Sequence, residues 1–141
     1  MSFPAIFNGG CIEVRSGPQP ANANMAPTGT LLARITQGGG AWDYGSDTNG
    51  LQFSIAGPRI TKDPLQSWRL NGLATGVAGW FRLLTKDDPL DESTTALRID
   101  GTIGPADYSP GDYQMRLTDL NLTASSDIDI PLWWFYFPPI E

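Results

Sequence analysis

The 141-residue chain contains no histidine. That removes the commonest general base, the usual partner of a nucleophile and the commonest transition-metal ligand. Cys11 is the single cysteine, with no histidine to activate it and no second thiol for a disulfide or a zinc site. It opens the alternating segment CIEVRS and is expected to be a small buried hydrophobe. Only carboxylates remain as candidates for chemistry. Asp87, Asp88, Asp91 and Glu92 crowd the segment KDDPLDESTT at 86–95. Two acids flanking a cleft can hydrolyse a glycosidic bond, and several oxygens can hold Ca²⁺. Their spacing fits no calcium loop, and acids gathered around a proline are expected to form a solvated hairpin tip. Gly38–Gly40 runs into Ala-Trp-Asp, not Lys-Ser/Thr and a helix, so it is no phosphate cradle. The expectation is a protein that is not an enzyme, with no catalytic residues, cofactor or metal.

Aromatic side chains are the other functional resource. Trp133, Trp134, Phe135 and Tyr136 are consecutive, so in a strand Trp133 and Phe135 face one way and Trp134 and Tyr136 the other. One pair fills the core. The other is exposed as a binding surface or covered, and because an open aromatic edge invites aggregation, burial against a partner or against the N-terminal arm is expected. Trp42 and Tyr44 sit in a turn region, and Phe3, Ile6 and Phe7 make the first ten residues apolar. The candidate subunit-contact residues are therefore Phe3, Ile6, Phe7, Trp42, Tyr44, Trp134 and Tyr136. The competing reading is a carbohydrate-binding or host-adhesion domain that stacks Trp42, Trp133 or Trp134 on sugar rings.

The elements that must position these residues are strands. Gly76–Thr85, GVAGWFRLLT, is apolar on both faces and is expected to be central, with Ala96–Gly104, ALRIDGTIG, as its hairpin return. That pairing places Arg82 opposite Asp100, which helps to set register. Cys11–Ser16 is expected to turn Ile12 and Val14 inward and Glu13 and Arg15 outward. Further strands are expected at Thr30–Thr36, Leu51–Ala56 (Leu51, Phe53 and Ile55 on one face), Gln66–Asn71, Tyr113–Leu117, Asp127–Ile130 and Leu132–Phe137. Gly17–Gly29 is expected as a loop, and Gly57–Pro64 as punctuation between strands. With 16 Gly and 12 Pro spread throughout, short strands joined by turns suit the chain better than helices. This spacing indicates an antiparallel sandwich or a small barrel. The expectation adopted is an all-β, single-domain antiparallel β-sandwich, Ig-like or jelly-roll-like. Residues 1–10 would be an extended N-terminal arm, 11–137 the sandwich and 138–141 a tail. Removing Met1–Gly10 is expected to leave the domain folded.

Net charge is −6, from 15 acidic and 9 basic residues. The basic residues are scattered singly, so direct nucleic-acid binding is not expected. The opening MSFPAIFNGG lacks the basic and apolar regions of a signal peptide, and no apolar run is long enough for a membrane span.

Several segments together resemble a family. IEVRSG at 12–17, followed by Pro-Gln-Pro-Ala and by TGTLLARI at 28–35, is similar to the opening of small structural proteins of tailed bacteriophages and prophages. GWFRL at 79–83 and DGTIG at 100–104 resemble a strand and a turn of the same group, and 113–122 matches more loosely. Trp42–Leu70 and the WWFYFPP tail lie outside the pattern. The resemblance implies a virion structural protein, made in the host cytoplasm. It would assemble on the capsid as decoration, or in the head–tail or tail structure, with other virion proteins and copies of itself as partners.

Overall fold

The computed structural model describes residues 2–43, 45, 46, 48–107, 110, 111, 113–131 and 133–136, the last three by backbone alone. Among these the chain is mostly β. In order, the elements are α1 (Phe3–Phe7), β1 (Cys11–Ser16), β2 (Leu31–Gln37), β3 (Phe53–Ala56), β4 (Arg59–Lys62), β5 (Trp68–Gly72) and β6 (Gly76–Leu84). They continue with β7 (Arg98–Pro105), β8 (Met115–Leu117), β9 (Asn121–Leu122), β10 (Asp127–Ile130) and β11 (Trp134–Tyr136). One curled sheet runs β10-β5-β2-β1-β6-β7-β8, with β9 paired to the start of β6. A second sheet has the order β11-β4-β3. No helix among the described residues is long and apolar enough to cross a membrane.

Two rows of side chains explain why the large sheet takes this register. Ile128, Leu70, Ile35, Ile12, Leu83 and Ile99 stand opposite one another across six strands, from β10 to β7. All six belong to one apolar cluster, and the four central ones are fully buried. Burying each such side chain is worth about 1.5–3 kcal/mol. One residue along every strand lies a polar row: Asp127, Asn71, Arg34, Glu13, Arg82 and Asp100. Because side chains alternate at a period of two, a one-residue slip would exchange the two rows. The Arg82–Asp100 pair sits where the sequence predicts it.

The small sheet lays Phe53 and Ile60 into the same apolar cluster. Phe53 and Trp133 both pack against Trp68, with ring centroids 5.3 and 5.4 Å away. β4 lies where punctuation was expected. Gly57 and Pro58 form a two-residue hairpin turn, with φ +62° at Gly57, and Arg59–Lys62 returns along β3. Such turns require a positive φ at their first position. Ile55 shares the face of Phe53 but lies by the hairpin turn and is largely exposed. β8 is shorter than expected and runs parallel to β7.

Residues 3–7, expected as part of an extended arm, are helical. Ser2 caps α1 by accepting from the Ala5 N–H at 3.3 Å, and Pro4 fits the first turn, where no N–H partner is needed. The Phe3 ring lies 4.6 Å from Phe7 and 5.1 Å from Phe53. Asn8 Oδ1 then accepts from the Phe53 N–H at 2.9 Å, and Gly10 bridges to Leu51. The segment is a lid on the core, so its removal would take Phe7 out of the apolar cluster and uncover Phe53. Residues 138–141 lie outside the described residues.

Candidate interaction surface

The acidic loop is not simply a solvated tip. Asp87, Asp91 and Glu92 are exposed, but Asp88 is completely buried. Arg98 meets Asp88 through two parallel bonds, Nε to Oδ2 at 2.7 Å and Nη2 to Oδ1 at 2.8 Å. Asp88 Oδ1 also accepts from the Leu90 N–H at 2.8 Å. The bond from Asp88 raises the Arg98 pKa above its ordinary value. Cys11 lies with Trp42 and Leu84 in a second apolar cluster, where burial pushes its thiol pKa well up, reinforced by the nearby Glu13 charge. A thiol held protonated is a poor nucleophile.

The polar face of the large sheet is closed over by loops. Arg82 binds Asp100 through Nε and Nη2 at 2.7 and 2.9 Å, and its Nη1 donates to the Met25 carbonyl at 2.9 Å. Arg98 Nη1 donates to the Ala23 carbonyl at 3.0 Å, and its Nη2 also reaches the Asp91 carbonyl. The loop at 17–29 is thereby strapped across β6 and β7 by two paired guanidiniums. Glu13, expected outward in solvent, is buried between Arg15 and Arg34, each with Nη2 3.2 Å from a carboxylate oxygen. Burial of Asp88 and Arg98 has no signature in periodicity, because segments distant in sequence close around them. Once the strand pairing is known, Glu13 opposite Arg34 and Arg82 can be read from register.

The candidate contact residues divide. Phe7 is buried beneath the core, and Trp42 is buried with Nε1 donating to the Gly9 carbonyl at 2.9 Å. Both are committed within their own chain. Phe3 and Ile6 are half-buried at its margin. Ile6 lines a shallow groove of about 390 Å³ between α1 and the acidic loop, with Asp87, Pro89 and Leu97. Tyr44 lies outside the described residues. Trp134 takes the register position of Thr61 and Ser54, and Tyr136 that of Arg59 and Ala56. These positions share the face of the small sheet opposite Ile60 and Phe53, with Ala56 and Arg59 exposed and Ser54 and Thr61 half-buried. Structure thus brings Trp134 and Tyr136 onto one three-stranded face and leaves Phe3 and Ile6 on another part of the surface.

Of the three sugar-stacking candidates, Trp42 has no free face, and Trp133 packs against Phe53 and Trp68. Among the described residues, no three acidic or thiol side chains gather closely enough to hold a metal ion. The chain matches no protein-family model, no curated protein and no solved structure.

Proposed function

We propose that the chain is a non-enzymatic virion structural protein of a tailed bacteriophage or prophage. It assembles on the capsid or in the head–tail or tail structure, through contacts with other virion proteins and with copies of itself. The observation that supports this reading is where the resembling segments fall. IEVRSG runs along β1, TGTLLARI leads through β2, GWFRL lies in β6 and DGTIG in β7. Those four strands are neighbours, in the order β2-β1-β6-β7. The segments outside the resemblance, Trp42–Leu70 and the aromatic tail, supply β3, β4 and β11, the whole of the small sheet. A common central scaffold with an added sheet suits a protein whose assembly specificity is its own. On this reading the two sheets form a single-domain sandwich around Phe53, Ile60 and Trp68. The outer face carrying the Trp134 and Tyr136 positions meets a partner, and Phe3 and Ile6 reach a neighbouring subunit.

The test is co-sedimentation of purified protein with particles from a strain that lacks its gene. Saturable binding at a fixed ratio, weakened in Trp134→Ala and Tyr136→Ala, is expected. Protein left wholly in the supernatant would overturn the assignment.

A further inference from the structure

Among the described residues, the buried side-chain polar atoms with no hydrogen-bond partner are Arg15 Nε, Arg34 Nε and Trp80 Nε1. All three are donors, and no buried acceptor is left over. They also belong together. Arg15 stands directly opposite Trp80 in the β1–β6 ladder, and Arg34 stands opposite Glu13 one strand away. Glu13 joins the two arginines, its carboxylate taking one bond from each guanidinium. A guanidinium carries five donors, so one shared carboxylate leaves this face short of acceptors. The neighbouring Arg82–Asp100 and Arg98–Asp88 pairs are balanced, so the excess positive charge is local, within a chain of net charge −6. The three unpaired nitrogens are themselves covered, while the rest of the Arg15 and Arg34 side chains reaches solvent, 14% and 28% exposed, so an anion would approach along the guanidiniums and shift them to engage the covered donors. Arg34 also lies over the Trp42 ring, 5.8 Å from its centroid.

We infer that Arg15 and Arg34, backed by Trp80, form a binding site for an oxyanion, a carboxylate or a phosphate group. Buried donors without acceptors are costly, and an anionic oxygen is the partner that satisfies a guanidinium best. Glu13 occupies one side of the site and weakens it by charge, so the site is tuned for modest affinity.

The test is titration of the full-length protein with inorganic phosphate and, separately, with acetate, against chloride at equal ionic strength. The Trp80 indole N–H resonance and the thermal midpoint are both followed. Saturable movement of the indole signal is expected with at least one of the two anions and not with chloride. The stronger of the two identifies a tetrahedral or a planar ligand. Arg34→Gln should weaken binding about tenfold or more. Glu13→Gln should tighten it, which a purely structural role for the triad would not do. An indole resonance that is unmoved by either anion, or that moves equally in the Arg34→Gln protein, would overturn the proposal. So would weaker binding in a folded Glu13→Gln protein.

Discussion

Arg98 and Asp88 form a two-point ion pair in which both side chains are completely buried, ten residues apart across the base of the acidic loop. The pair turns a stretch that looks like solvated hairpin tip into a structural joint. It fastens the loop to β7 and, through the Ala23 carbonyl, to the strap over the polar face. A buried pair offers little net gain over a well-packed apolar substitute, yet breaking one side is expensive.

Asp88→Asn should therefore destabilise the fold by about 3–5 kcal/mol, measured by urea unfolding. The double variant Asp88→Leu/Arg98→Met should recover much of that loss. Equal losses in the single and double variants would show that the two residues act independently.

Cys11 makes a second prediction, in pH. Burial raises its folded-state pKa above the ordinary 9.0, so the folded chain keeps a proton that the unfolded chain loses. The stability associated with that proton is complete below pH 9 and declines as pH rises beyond it. The decline is at most about 1.4 kcal/mol per pH unit. The difference in unfolding free energy between wild type and Cys11→Ala, followed from pH 7 to 10, should be flat and then shrink. The native thiol should also resist alkylation until urea exposes it.

Gly79 tests the packing of the strap's entry. A Cβ there would lie 2.2 Å from the Gly17 carbonyl oxygen, a backbone atom that cannot swing aside. Gly79→Ala should cost about 1–3 kcal/mol by overpacking, seen as a lower urea midpoint with an unchanged slope.

At the N-terminus, stability and contact can be separated. Phe7→Ala should cost about 3–5 kcal/mol, because the ring is buried. Ile6→Ala should cost about 1 kcal/mol and reduce particle binding in the co-sedimentation assay. Unchanged binding by Ile6→Ala would remove this end of the chain from the contact surface.

Where alternation alone decides a residue's side, the sequence is a good guide. Ile12, Val14, Leu32 and Ile35 are buried as their pattern predicts, and Arg82 faces Asp100 because the two flanking strands pair as their composition demands. Glu13 and Asp88 are different. Each looks like an outward or solvated acid, but Glu13 is buried between Arg15 and Arg34, and Asp88 is buried against Arg98, which also holds the 17–29 loop. β4 is not legible in the sequence because Gly57-Pro58 looks like a break in the chain, when it is the turn that creates the strand. Trp42 in its turn-rich segment suggests a contact residue, but its indole N–H has an acceptor in Gly9, in a segment more than thirty residues away. Long-range covering, not local pattern, separates the two groups. Of the contact candidates, the small sheet's outer face is the part that depends on pairing between β4 and β11, which no local pattern specifies.

The most direct test of the central claim is the copy number of this chain in gradient-purified particles from the strain that encodes it, measured by quantitative mass spectrometry. The virion reading predicts a fixed ratio to the major capsid protein that survives a second gradient. Absence from the particles, or a trace amount that falls with each purification step, would contradict it.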